Sequence, residues 1–132
     1  MNLHRLLAKR DEEGRPIRIG VIGAGKFATM FLAQVRHTPG IHIIAISDLV
    51  AERGRTALAT AGWPANAAEA LSFSDALSSG TPHITDDTDA LLKSDELELV
   101  VDATGNPPAG IHHALSDVVQ GDHRVLERGV GG

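Results

Sequence analysis

"IRIGVIGAGKFATMF", Ile17 to Phe31, is the stretch on which the reading of the whole chain turns. Its opening "IRIGVIG" alternates into a buried apolar strand, and "KFATMFLAQVRHTPG" then carries helical periodicity closed by Pro39 and Gly40. Between strand and helix stand Gly23, Gly25 and Ala28, in the spacing Gly-x-Gly-x-x-Ala. At such a junction Gly23 permits a tight bend, Gly25 removes the Cβ that would block a pyrophosphate, and Ala28 lets the helix lie close to the strands. The free N–H groups of the first helical turn, with their partial positive charge, then face the anion. Lys26 reads either as a phosphate contact or as a solvated lysine, and Phe27 either shields the site or packs. The competing reading of the glycines is a tight βα turn with no ligand.

The next apolar run, "IHIIAIS", is rich in β-branched residues and predicts a second strand ending at Asp48, 25 positions beyond Gly23. A dinucleotide fingerprint expects an acid about 20 residues on, where it accepts hydrogen bonds from the adenosine ribose. A helix N-cap for "LVAERGR" is the plainer role, and one carboxylate can serve both. An acid here disfavours a 2′-phosphate, since like charges ~4 Å apart repel by about 4 kcal/mol at an effective dielectric of 20. Arg53 and Arg55 offset that repulsion if their helix turns them toward the ribose. The sequence leans to NAD without settling the matter, so the cofactor is written NAD(P).

"LELVVDATG" predicts a later buried strand whose carboxyl end lies where open parallel sheets bind ligands. Ala103, Thr104 and Gly105 are small enough for a nicotinamide ribose to approach, and Asn106 is placed to hydrogen-bond it. A plain turn shaped by Gly and Pro is the alternative.

Other elements fill the intervals. Leu3, Leu6 and Leu7 fall at helical spacing over residues 2–10, ahead of the charged break "RDEEGRP". Residues 1–14 are therefore read as an amphipathic helix and linker, and 15–132 as the main domain. "LVAERGRTALATAG" predicts a helix, residues 65–79 a further short one, "PHIT" a weak strand, and "DDTDALLKS" a short helix capped by its aspartates. "PAGIHHALSDVVQG" predicts another helix and "HRVLE" a fifth short strand. Strands alternating with helices predict an α/β, doubly wound parallel sheet of about five strands, a Rossmann-like domain preceded by a short helix.

Composition bounds the function. With 132 residues, 42% hydrophobic and 22% charged, the chain suits one globular domain with a real core. A formal charge of −5 provides no broad basic surface, so nucleic acid and anionic membrane are not expected partners. The absence of cysteine removes disulfides, thiolate metal sites and a cysteine nucleophile. His112 and His113 are neighbours that point about 100° apart on a helix, so the seven histidines supply no i,i+4 metal pair. No stretch suits a signal peptide or a bilayer span, which makes the cytoplasm the default location.

The series "RIGVIGAGKFATMF", "TPGIHIIAISDL" and "LELVVDATGNPPAGIHHAL" resembles the cofactor domain of the homoserine dehydrogenase-like oxidoreductases. It is most similar to the branch with a C-terminal SAF domain, which includes deoxyxylulose-phosphate reductoisomerase-like enzymes; the leading "LHRLLAKRDEEGRP" is typical of that branch. The broader group with glucose–fructose oxidoreductase-type cofactor domains shares the layout. The resemblance implies pyrophosphate at Gly23, Gly25 and Ala28, the adenosine ribose at Asp48, and the nicotinamide side at Thr104 to Asn106. The reductoisomerase-like enzymes are associated with NADPH, which pulls against Asp48. The likeness covers roughly residues 3–123 and fades at "GDHRVLERGVGG", whereas family members continue into a separate catalytic domain. The catalytic groups are thus expected outside these positions, and none is nominated within them.

Two functions follow. One is the NAD(P)-binding module of an oxidoreductase that moves hydride to or from a hydroxyl or carbonyl carbon, with a small-molecule substrate only in the full-length parent. The other is a non-catalytic nucleotide-binding or sensing module joined to a partner by the leucine helix. A methyltransferase using S-adenosylmethionine also needs a glycine turn and an acid after the second strand, but no acid immediately precedes the glycines here. A sheet ending at its fifth strand exposes an edge, so self-association into a homo-oligomer is a further expectation.

Overall fold

Ile17–Ile22 forms the first strand, β1, and lies at the centre of a parallel sheet in the order β3-β2-β1-β4-β5. The structure is a computed structural model and describes residues 3–63, 69–104 and 125–127. The other strands are β2 (Ile41–Ser47), β3 (His83–Thr85), β4 (Leu99–Asp102) and β5 (Val125–Glu127). The helices are α1 (Leu3–Glu12), α2 (Lys26–Val35), α3 (Ala51–Thr60), α4 (Phe73–Ser79) and α5 (Thr88–Lys93). This is the doubly wound α/β architecture that the alternation of strands and helices predicts.

Each face of the sheet has its own apolar layer. Ile17, Ile19 and Val21 of β1, Leu99 and Val101 of β4, and Ile43 and Ile46 of β2 pack against Ala28, Phe31, Leu32 and Val35 of α2 and Ala57 of α3. Ile44, Ala45 and Val100 form the second layer with Ala76 of α4 and Leu91 of α5. A register shift beside Ile19 and Gly20 lets Ile44 and Ala45, neighbours in β2, serve the same layer. Gly20 has no side chain because a Cβ there would fall 2.6 Å from Leu97 Cδ1.

The leading helix belongs to this core. Leu7 is buried in the first layer, and α1 runs two residues past the predicted end at Arg10. The α1 backbone at Leu7 rests on Gly40, where any Cβ would collide with the Leu7 carbonyl. Arg10 makes a two-pronged ion pair with Glu98, at 2.8 and 3.0 Å, and both side chains are almost fully buried. Arg10 Nε also donates to the Arg15 carbonyl at 2.6 Å.

The start of α4 also differs from expectation. Of the span predicted as a helix over residues 65–79, the described part is 69–79, and there the helix begins at Phe73, where Ser72 caps it. Ser72 Oγ accepts from Asp75 N–H at 3.0 Å, and Asp75 in return accepts from Leu71 N–H at 2.8 Å. That reciprocal cap stops the helix from extending backwards. Ala70 instead forms a parallel bridge to His83 on the outer edge of β3. The helix predicted over "PAGIHHALSDVVQG", with His112 and His113, lies outside the described residues. Among the described residues no helix is long and apolar enough to cross a membrane.

Candidate functional site

The strand registers decide where the predicted site residues meet. Ile22 pairs with Ser47 on one side and with Asp102 on the other, so β1, β2 and β4 end level. Main-chain bonds carry the ladder one residue further. Gly23 N–H donates to Ser47 O at 2.7 Å, Ala103 N–H to Ile22 O at 2.7 Å, and Asp48 N–H to Thr85 O at 3.1 Å. Gly23, Asp48 and Ala103, far apart in sequence, therefore share the carboxyl-end rim of the sheet.

Gly23 makes the bend with φ of +93°, a conformation that a side chain strains. A Cβ there would also stand 3.0 Å from Thr104 Cγ2 and 3.3 Å from the Ala103 carbonyl carbon, so the glycine turn and the end of β4 touch. Gly25 is different. No described atom lies within 4 Å of where its Cβ would be, which leaves an open approach over the turn.

Gly25 is also the N-cap of α2, and having no side chain it caps nothing. Thr29 N–H donates to Gly25 O at 3.1 Å, and no described residue supplies an acceptor to the amides of Lys26, Phe27 and Ala28. Three donors at a positive helix end thus await an acceptor. Ala28 is fully buried against the strands, as its small size predicts. Phe27 is half-buried and stacks on Phe31, ring centroids 6.3 Å apart, which is the packing alternative. Lys26 is exposed.

Asp48 stands beside the turn with a nearly buried side chain, and each of its oxygens accepts one amide. Oδ1 takes Ala24 N–H and Oδ2 takes Val50 N–H, both at 3.0 Å. The plainer role expected for Asp48, as N-cap of the next helix, is modified. The N-cap residue of α3 is Val50, and Asp48 serves the amide of that residue. Its other oxygen clamps the glycine turn, a role that spacing alone does not reveal. A carboxylate offers about four acceptor positions, so roughly two remain open.

Of the residues predicted for the nicotinamide side, Ala103 is buried and Thr104 is exposed, while Gly105 and Asn106 lie outside the described residues. The sequence reading passed over Asp102, whose Oδ1 accepts from Thr104 Oγ1 at 2.6 Å and Thr104 N–H at 3.0 Å. An aspartate two residues before a threonine at a strand end is a readable signal for such a turn. It also passed over Leu49 and Val50, both exposed beside Asp48. Two exposed apolar residues directly after the acid were the available signal.

Donors without acceptors at a helix start, a cradle that a Cβ would fill, and an acid with spare lone pairs together suit a dinucleotide. These features define an NAD(P)-binding Rossmann domain. The model of the GFO/IDH/MocA oxidoreductase family, NAD-binding Rossmann fold, matches residues 17–127, and the chain belongs to that family. It corresponds to the broader of the two groups that the sequence resembles.

No curated protein matches the sequence. Among solved structures, the chain is similar to a mutant of KijD10, a 3-ketoreductase from Actinomadura kijaniata crystallised with TDP-benzene and NADP. The identity is 17% and the TM-score 0.49, over 85% of this chain and 29% of that one. The WlbA dehydrogenase from Bordetella pertussis, in complex with NADH and UDP-GlcNAcA, shows 20% identity and a TM-score of 0.47 over 85% and 28%. For the myo-inositol dehydrogenase from Lactobacillus casei, in complex with NAD(H) and myo-inositol, the values are 16% and 0.48 over 84% and 27%. The chain therefore spans less than a third of the length of each.

Proposed function

We propose that this chain is the cofactor-binding module of an oxidoreductase that transfers hydride between a nicotinamide and a hydroxyl or carbonyl carbon. The observation that carries the reading is the open approach over Gly25 beside the acceptor-free amides of Lys26 to Ala28. The pyrophosphate would lie against those amides, the adenosine ribose against Asp48, and the nicotinamide side toward Ala103 and Thr104. When bound, the nicotinamide supplies or receives the hydride.

What this chain contributes is binding and orientation. Asp48 fixes the turn by holding Ala24 N–H and offers its remaining lone pairs to hydroxyls. The bend at Gly23 sets the start of α2 against the end of β4, which brings the two halves of an extended ligand to one rim. Holding one reactant at a fixed place lowers the entropic part of the barrier for whatever groups complete the reaction. No acid or base for the hydride step is assigned within these 132 positions.

The finer reading, a homoserine dehydrogenase-like or deoxyxylulose-phosphate reductoisomerase-like parent of the SAF-domain branch, rests on the sequence series. It is supported by the leading "LHRLLAKRDEEGRP" segment, most of which folds as α1. Titration of the chain with NADH, NADPH and S-adenosylmethionine, followed by intrinsic Trp63 fluorescence and by calorimetry, tests the function. Saturable binding of a nicotinamide dinucleotide is expected. Binding of S-adenosylmethionine alone would overturn it.

A further inference from the structure

Arg18 and His42 are partners in the β1–β2 register, and side chains at paired positions share a face of the sheet. Both border a cavity of about 450 Å³ at the amino ends of these strands, the pole opposite the glycine turn. Arg10, Arg15 and Glu98 complete its charged lining, so three guanidiniums stand against one carboxylate.

That carboxylate is already committed. Glu98 accepts from Arg10 Nη2 at 2.8 and 3.0 Å, and from Arg18 N–H at 3.4 Å. Arg15 Nη2 donates to Glu13 at 2.9 Å, and both side chains are exposed. Arg18 uses its Nε on the Glu96 carbonyl at 2.6 Å, and its two terminal nitrogens make no hydrogen bond among the described residues. The Glu96 carboxylate feels the charge of Arg18, but it is held by Ser94 at 2.7 Å and Ser74 at 3.3 Å. His42 Nε2 is buried with no partner among the described residues. A guanidinium edge and a ring nitrogen, both short of acceptors, thus lie on one face beside one cavity.

Their chemistry selects what fits. A guanidinium edge offers only donors, in a fork that matches carboxylate, phosphate or sulfate oxygens. An imidazole donates from both nitrogens once it is protonated. Burial opposes that form, the ring's bond to the Ala76 backbone of α4 favours it, and Arg18 opposes it again. Arg10 of α1, Arg15 in the loop after it and Glu98 ahead of β4 are the other charges at the cavity, and Leu77 of α4 is an apolar wall. A dianion seated between Arg18 and the ring reverses the balance, since its charge attracts both. A cation would meet the guanidiniums. The volume is that of a small molecule.

We infer that this cavity is a binding site for a small, doubly charged oxyanion, a phosphate-type group or a dicarboxylate, held by Arg18 and the protonated ring of His42. It stands apart from the proposed cofactor site and does not depend on it.

The test is nuclear magnetic resonance of the full, isotope-labelled chain. Sodium sulfate or sodium malonate is added at an ionic strength held constant with sodium chloride. The His42 ring signals, recognised by their loss in His42→Gln, are expected to shift saturably at pH 6 with a dissociation constant on the order of 1 mM. Either anion supports the inference: saturation by sulfate alone assigns phosphate-type groups, and by malonate alone dicarboxylates. Sulfate affinity is expected to fall at least about threefold between pH 6 and 7.5, because the bound ring keeps a proton that the free ring has released. Arg18→Gln, its fold checked by circular dichroism, is expected to weaken sulfate about tenfold or more, and Arg18→Lys, which keeps a charge but loses the fork, by less.

No saturable His42 shift below about 50 mM of either anion would overturn the inference. So would a shift that chloride alone reproduces, or one confined to the amides of Lys26 to Ala28. These three outcomes are read in the unaltered chain and do not require a variant to fold. Sulfate affinity left intact by a folded Arg18→Gln would overturn it as well.

Discussion

Gly23 and Gly25 sit two residues apart and do opposite things, which makes them separable by substitution. A side chain at Gly23 must adopt φ of +93° and press on Thr104, so Gly23→Ala is expected to lower stability by about 1–3 kcal/mol in urea unfolding. A side chain at Gly25 meets open space, so Gly25→Val is expected to move the urea midpoint little while weakening cofactor binding at least about tenfold. Asp48 is expected to combine both roles. Asp48→Ala strips the acceptors from Ala24 and Val50, with an expected cost of about 1–3 kcal/mol and loss of dinucleotide affinity. Asp48→Asn keeps one carbonyl oxygen and is expected to recover part of the stability, measured in the same unfolding series.

At the level of elements, α1 is tied to the sheet by a buried ion pair, and such a pair is most costly when half of it is removed. Arg10→Met leaves the Glu98 carboxylate nearly buried and deprived of its bidentate partner, with an expected destabilisation of about 3–5 kcal/mol. The double variant Arg10→Met/Glu98→Leu is expected to regain part of that loss, which urea midpoints can check. None of this was legible in the sequence, since nothing in "LLAKRDEE" or "DELELV" pairs residue 10 with residue 98. The sheet was legible because β1, β2 and β4 are short apolar runs whose punctuation by Gly, Asp and Thr fixes their ends. The start of α4 was not legible, because Ser72 stands among several serines and only its bond from Asp75 N–H marks it as the cap. The gathering of Gly23, Asp48 and Ala103 was legible because strands that alternate with helices run parallel and end on one side of the sheet. The clamp of Asp48 on Ala24 was not, because a hydrogen bond over 24 residues leaves no local signature.

For the molecule as a whole, pH acts through the end of the sheet remote from the glycine turn. His42 opens toward a cavity of about 450 Å³ bordered by Arg10, Arg15, Arg18 and Glu98. Burial, helped by the charge of Arg18, pushes its pKa below the ordinary 6.5, against a raising bond to the Ala76 backbone. Its Nε2 is buried with no partner among the described residues. A lowered value means the unfolded chain takes up the proton first. The neutral ring's contribution is complete above pH 6.5 and is lost as pH falls from there through the folded value, with a slope of up to about 1.4 kcal/mol per pH unit. Glu96, lowered chiefly by its bond from Ser94, loses its contribution only below its ordinary 4.5. Urea midpoints between pH 7.5 and 5 are expected to decline for the natural chain and to flatten in His42→Gln.

The brace formed by α1 touches Gly40, where β2 begins, and Glu98, just before β4, on either side of β1. The proposed cofactor site and the brace therefore lie at opposite tips of the same three strands. One tip is bolted by the chain itself, and the other carries the glycine turn. In deuterium exchange the amides along α1 and Ile17 are expected to be released only when the entire fold opens. Those of Ala24 to Ala28 are expected to exchange by local fraying, until a dinucleotide joins them to the slow-exchanging majority.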